Sequence, residues 1–192
     1  MLFTECVRTE FDDFVSRAGL LQKGFREVEE LVTWVRPPAF LPYSGVRKAR
    51  LKDVYACMTI ARASFTYDRR HQDGSYPNWL ADLLKMWGIG KGFFKSGSTV
   101  FVADKDGVVG FLSAAKTPFK LLTEARIDLI AVDVAHRREG VAENLICKAM
   151  DYYARDGCST IVAGTQAHNE ASCKLYESLG FVIGRRQRTF HR

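Results

Sequence analysis

The sequence predicts a mixed α/β domain, and three stretches carry that prediction. "ARIDLIAVDV" at 125–134 is a β-rich run that passes through a short basic turn into "RREGVAENLICKAMDYYARDG", where Val141, Leu145, Ile146, Ala149, Met150 and Tyr153 recur at helical spacing. "TVFVADKDGVVGFLSAAK" at 99–116 sets two apolar runs on either side of Asp106-Gly107, the signal of a hairpin. "STIVAGT" at 159–165 reads as a further strand, followed by a helical pattern that Gly180 ends.

Taken in order, Phe11–Leu21 reads as a helix that leads through Gly24-Phe25 into a strand ending near Arg36. Three prolines in "RPPAFLPYSG" can continue neither element, so Pro37–Gly45 is expected to be a linker. That places a small N-terminal subdomain with its linker at 1–43 and a larger domain at 44–192. "VRKARLKD" reads as a short strand, and Asp53 is placed to cap a helix with Val54, Cys57, Met58 and Ala61 on one face. A polar, aromatic and basic loop, "FTYDRRHQDGSYPN", precedes a helix whose buried side is Trp79, Leu80, Leu83, Leu84 and Trp87, ended by "GIGKG". After "STIVAGT", Asn169 is the expected N-cap of a helix with Cys173, Leu175, Tyr176 and Leu179 on its apolar side.

One pattern occurs twice. "GFREVEELVTWVR" at 24–36 and "GFVIGRRQRTFHR" at 180–192 have equal length, open Gly-Phe, carry Thr at the tenth position, follow it with an aromatic (Trp34, Phe190) and end on Arg. Helix-Gly-Phe-strand is a frequent pattern, so on the residues alone the match reads equally well as chance.

Composition narrows the function classes. With 192 residues, 47% of them hydrophobic, the chain can bury a sizeable core. It has no run of about eighteen apolar residues, and "MLFTECVRTEFDDF" has acids where a signal peptide needs an apolar segment, so a cytoplasmic location is expected. Five cysteines (Cys6, Cys57, Cys147, Cys158, Cys173) form no C-x-x-C pair and indicate neither a disulfide framework nor a zinc knuckle; no metal is expected. A net charge of +6 favours an anionic ligand, and a polyphosphate satisfies it as well as nucleic acid does. No groove-reading helix or RNA-binding aromatic motif is found, so nucleic acid is not expected as a partner.

The basic turn is the most informative feature. A buried strand feeding a glycine-bearing turn at a helix start presents free backbone N–H groups and the positive end of the helix dipole to a phosphate. Gly140 and Ala142 let the backbone approach a ligand, and Arg137 and Arg138 add charge. On spacing alone a plain basic strand-to-helix connection reads equally well.

The order Arg137-x-x-Gly140-x-Ala142, after a strand ending at Val132, and then Asn169 with Leu175-Tyr176 and Gly180-Phe181, resembles the GCN5-related N-acetyltransferase (GNAT) family. "ASFTYDRRHQDGSYPNWL", "ARIDLIAV" and "GTQAHNEASCKLYESLGF" are similar to its nucleotide-sugar branch, the dTDP-fucosamine acetyltransferases. The resemblance implies the GNAT fold, a mixed central sheet flanked by helices, with a small N-terminal partial repeat. It implies acetyl-CoA as cofactor and direct transfer to a primary amine, that of a nucleotide-linked amino-deoxy sugar. The pyrophosphate would lie on the amides of Arg137, Arg138, Glu139, Gly140, Val141 and Ala142, and the pantetheine along Ile130, Ala131 and Val132, with Asn169 and Ser172 also against the cofactor. Tyr176 would protonate the leaving thiolate. Asp128, which alternation puts on the same face as Ile130 and Val132, is the candidate base, although the amine can also lose its proton to water.

The chain departs from that branch at Ala61–Ala63, where the branch has an acid. Substrate choice falls to 65–78, where Arg69, Arg70 and His71 would hold a nucleotide diphosphate and Tyr67 or Tyr76 would stack on a base or sugar. Acetyl-CoA and a small amine are the expected partners, with no membrane. An exposed strand at Gly180–Arg192 offers an edge for a homodimer. A protein or peptide N-acetyltransferase and a catalytically silent acyl-CoA-binding module remain as alternatives.

Overall fold

The computed structural model describes residues 5–64, 97–119 and 122–192, which hold eight strands and four α-helices. The expected acceptor loop and the helix around Trp79–Trp87 lie outside the described residues. Among the described residues no helix is long and apolar enough to cross a membrane. The chain divides into two compact units, one holding residues 36–64, 97–119 and 122–163, the other residues 5–35 and 164–192.

In the first unit, β3 (Val46–Lys48), β4 (Ser98–Asp104), β5 (Val108–Phe119) and β6 (Leu122–Val132) form an antiparallel run, and the start of β7 (Thr160–Gln166) pairs with β6 in parallel. The expected hairpin is β4–β5, with Asp106 and Gly107 both at positive φ in its turn. Helix α2 (Val54–Ser64) covers one face, closing Cys57, Ile60 and Ala61 against Val100, Val102, Phe111 and Ala131. Helix α3 (Val141–Arg155) packs on β4, β5 and β6, and its Leu145, Ile146, Ala149, Met150 and Tyr153 are buried as the periodicity predicts. Burial of Cys57 pushes its thiol up to about 12, which makes it a packing group and not a nucleophile.

Asp53 does more than start α2. Its side chain is 5% exposed, pairs with both terminal guanidinium nitrogens of Arg47 at 2.7 and 3.0 Å and accepts the Arg50 N–H at 2.7 Å. The Arg47 hydrogen bonds are the main reason its carboxyl falls from 3.8 to about 2. A depressed folded-state value stabilises the fold above the ordinary value and loses that contribution as pH falls through about 2. Asp53→Asn is expected to cost ~2 kcal/mol at pH 7, with the gap to the native chain closing toward pH 2; urea unfolding at several pH values measures it.

The second unit contains an internal twofold. Its strand order is β1 (Cys6–Glu10), β8 (Val182–His191), β2 (Arg26–Arg36) and the end of β7, an order that reads the same when β1 exchanges with β7 and β2 with β8. Each half is a strand, a nine-residue helix and a strand: α1 (Phe14–Gln22) lies in one, α4 (Glu170–Ser178) in the other. Asp13 caps α1 by accepting from Ser16 N–H, and Asn169 caps α4 by accepting from Ser172 N–H. Gly24 and Gly180 end the helices at φ +81° and +75°, and the N–H groups of Phe25 and Phe181 return to Leu20 and Tyr176. The pairing Arg26↔His191 has its mate in Val35↔Val182, and the two register shifts, one at Val28 and one at Gly184, are also mates. Thus the repeat read from Gly24–Arg36 and Gly180–Arg192 extends upstream through both helices and caps.

Two expectations change here. Strand β8 lies between β1 and β2, but β1 covers only Gln187–His191, so the edge expected at Gly180–Arg192 narrows to the part of β8 before those residues. Residues 5–35 share one compact unit with 164–192, whereas the expected division set 1–43 apart from 44–192. Backbone pairing joins the two segments: β2 forms nine register pairs with β8.

Candidate functional site

Strand β6 delivers the chain to the basic turn. Its pairing with β7 ends at Ile127↔Ala163, so Asp128–Val132 continue without a β7 partner, while Leu129–Val132 remain paired with β5. Among the described residues the β7-facing edge of Ile130, Ala131 and Val132 has no strand partner; this is the edge the sequence assigns to pantetheine. The Val132 carbonyl accepts from Ser64 Oγ at 3.3 Å and from Arg137 Nε at 3.5 Å.

After Val132, Asp133 caps a short 3₁₀ turn, Val134–His136, by accepting from Ala135 N–H at 2.9 Å. Arg137 is extended, Arg138 takes φ +65° and Gly140 φ +74°, and α3 begins at Val141. Two left-handed residues flanking Glu139 turn successive N–H groups into one concavity, and no side chain caps the helix start at Gly140. These are the amide groups that the sequence assigns to a phosphate. Glu139 is drawn aside to Lys105 Nζ at 2.9 Å and His136 Nδ1 at 3.3 Å, and the Lys105 contact leads in lowering its carboxyl below the usual range. The charge that disfavours a phosphate is thus neutralised, while Arg137 and Arg138 supply the favourable one.

Gly110 on β5 fixes the distance between this turn and the sheet. A Cβ there would lie 3.0 Å from Val141 Cγ1 and 3.1 Å from the Ala131 carbonyl, so the first turn of α3 rests directly on the end of β6 because Gly110 has none. The sequence reading did not single out this glycine; its place in β5, opposite Val132, is what could have flagged it.

Asp128 is the residue left unpaired by the register shift between Ile127 and Leu129, a β-bulge. It pairs with Arg126 Nε at 2.9 Å, and the bulge breaks the strict alternation on which its shared face with Ile130 and Val132 rested. Tyr67, Arg69, Arg70, His71 and Tyr76 lie outside the described residues.

In the other unit, Asn169 is the N-cap of α4 as expected and holds the Ser172 N–H at 3.2 Å. Tyr176 is 3% exposed and sits between Phe181 and Trp34, with ring centroids at 5.4 and 6.2 Å. Burial pushes its phenol up. Trp34, which the sequence reading used only as an aromatic in a repeat, is 6% exposed, and its Nε1 has no hydrogen-bond partner among the described residues. Cys173 is a packing residue, its thiol raised by burial.

The residues at the turn fit a CoA pyrophosphate: a nest of N–H groups, a glycine at positive φ, flanking arginines and a free strand edge. The profile of the "Acetyltransferase (GNAT) family" matches residues 54–181. N-alpha-acetyltransferase 30 of Homo sapiens is 37% identical over 67 residues, 35% of this chain and 18% of that protein. The spore coat polysaccharide biosynthesis protein SpsD of Bacillus subtilis (strain 168) is 24% identical over 169 residues, 85% of this chain and 57% of that protein. The chain thus spans little more than half of SpsD and less than a fifth of the human enzyme. A solved structure of AAC(6')-Iy in complex with a bisubstrate analog, CoA-S-monomethyl-acetylneamine, shares the fold at TM-score 0.54 and 21% identity, covering 71% of this chain and 89% of that one.

Proposed function

Because the chain belongs to the GNAT family of acetyltransferases, we propose that it transfers acetyl directly from acetyl-CoA to a primary amine, and that this amine belongs to a nucleotide-linked amino-deoxy sugar. The concavity at Arg138–Gly140, opening onto α3 beside the unpaired edge of β6, is the observation that carries the cofactor assignment. For the sugar, the support is the SpsD match, which extends over 85% of this chain to a protein named for polysaccharide biosynthesis.

Bound acetyl-CoA supplies the thioester that the amine attacks. The amides of Arg137–Ala142 hold the pyrophosphate, with the dipole of the fifteen-residue α3 directed at it. The edge of Ile130–Val132 orients the arm, and Asn169 and Ser172 are assigned to cofactor contact through their motif. Tyr176 donates a proton to the leaving thiolate, for which the phenol must be neutral; its burial favours that form. Asp128 is assigned to accept the amine proton. Tyr67, Arg69, Arg70, His71 and Tyr76 are assigned to the acceptor. A second reading, acetylation of a peptide amine, is favoured by the N-alpha-acetyltransferase 30 match and competes for the same cofactor groups.

Thiol release from acetyl-CoA against dTDP- and UDP-linked amino sugars, an aminoglycoside, a polyamine and a peptide tests the proposal. Turnover confined to a nucleotide sugar is expected; turnover only with the peptide would select the second reading. Gly140→Val puts a β-branched residue at φ +74° and is expected to weaken acetyl-CoA binding by about tenfold or more. Unchanged affinity in calorimetry would remove the turn from the cofactor site.

A further inference from the structure

The internal twofold gives the side of α4 that carries Asn169, Ser172 and Tyr176 a mate on α1. Between β1 and α1 lies a cavity of ≈ 490 Å³, within the range of small-molecule sites. Its wall includes Thr9, Asp13, Ser16, Gly19 and Leu20, which match Thr165, Asn169, Ser172, Leu175 and Tyr176 of the other copy. The polar positions are retained in type, whereas the two bulky ones shrink, Leu to Gly and Tyr to Leu.

Three observations indicate that this space is built to be filled. Gly19 lies inside α1, where a glycine costs about 1 kcal/mol relative to alanine. A Cβ at Gly19 would meet nothing within 4 Å, so no steric demand of the fold accounts for it. Thr9 is 8% exposed, lines the cavity and has no hydrogen-bond partner for its Oγ1 among the described residues. Lastly, of the four charged side chains in the wall only the two carboxylates are committed within the fold. Glu10 is ion-paired with Arg185, and Asp13 is committed to the α1 cap. Arg8 and Lys23, also in the wall, make no ion pair among the described residues. Both cations stand where the other copy has uncharged residues, Gly164 and Leu179.

We infer that this cavity is a second small-molecule site, which takes a phosphate monoester on a short arm of the size of phosphopantetheine. Lys23 meets the phosphate, Thr9 and Ser16 the polar groups of the arm, and the space over Gly19 and against Leu20 its apolar part. Leu20 in place of the tyrosine makes the site a binding site without a proton donor. Only the choice of arm rests on the acetyltransferase reading, through the twofold relation to Asn169 and Ser172; the cavity, its glycine and its cations do not.

Calorimetric titration with 4′-phosphopantetheine separates the two sites. The native chain is expected to take two equivalents, Gly140→Val to keep one, and Gly140→Val with Gly19→Leu to keep none. Gly19→Leu restores the side chain of the matching position and favours the helix, so its melting temperature is expected to hold or rise. Lys23→Ala is expected to weaken the second site at least tenfold, and pantetheine lacking the phosphate to bind the native chain as weakly as the phosphorylated probe binds that variant. The inference is overturned where Gly140→Val binds nothing, or where adding Gly19→Leu or Lys23→Ala changes neither stoichiometry nor affinity. Acetyl transfer from acetyl-CoA is measured independently of these titrations, so loss of the second site leaves the acetyltransferase reading standing, and the reverse.

Discussion

Tyr176→Phe is expected to lower kcat about 10²–10⁴-fold while leaving KM for acetyl-CoA nearly unchanged. The substitution keeps the ring that packs between Trp34 and Phe181, so the unit keeps its core and only the hydroxyl is lost. A thiolate leaving without a proton donor must wait for water, and that difference arises in the transition state rather than in ground-state binding. The pH profile gives an independent reading. Burial raises the phenol above its ordinary 10, so the donating form persists through pH 9 and no descending limb below that pH comes from this residue. Steady-state kinetics on the native chain and on Tyr176→Phe decide the matter: an unchanged kcat would remove Tyr176 from the reaction, and a raised KM alone would make it a binding residue.

The other large effect concerns the chain before the prolines. Removing residues 1–35 takes away both neighbours of β8, along with the buried Phe25, Val32 and Trp34. Each large buried side chain is worth ~2–5 kcal/mol on truncation to alanine, and a whole domain is stable by only ~5–15 kcal/mol. The shortened chain is therefore expected to leave 164–192 unfolded, with rapid amide exchange at β8 and α4 and exposure of Tyr176. A self-standing domain at 44–192 would instead keep its exchange protection and melting temperature after the cut. The two outcomes decide between a detachable N-terminal appendage and a segment the fold requires.

What the sequence revealed and what it hid follow from range. Helix α3 and its turn were legible because every cue is local: apolar residues at helical spacing, a glycine and arginines within a few positions. Strand β2 was legible through its resemblance to β8. Strand β1 was not, because "CVRTE" is short, puts charges on its outer face and is a strand only by pairing with residues 187–191 at the far end of the chain. The bulge at Asp128 was hidden for the same reason, since a register shift belongs to two strands and alternation is a property of one. At the site, the phosphate turn and Tyr176 came from motifs. Gly110 and Trp34 shape those groups from elsewhere in the chain, and neither sits in a motif.

The twofold also orders events during synthesis. Strand β1 leaves the ribosome early but finds no partner until β8 emerges, and β2 none until the end of β7, and at ~5–20 residues per second those delays are on the order of ten seconds. Throughout it "EELVTWV" is an apolar strand with open edges, a segment for a chaperone to hold and a hazard at high expression. The unit that holds Tyr176 is thus the last to assemble, and slowing translation early in the chain lengthens the vulnerable interval without touching any residue of the site.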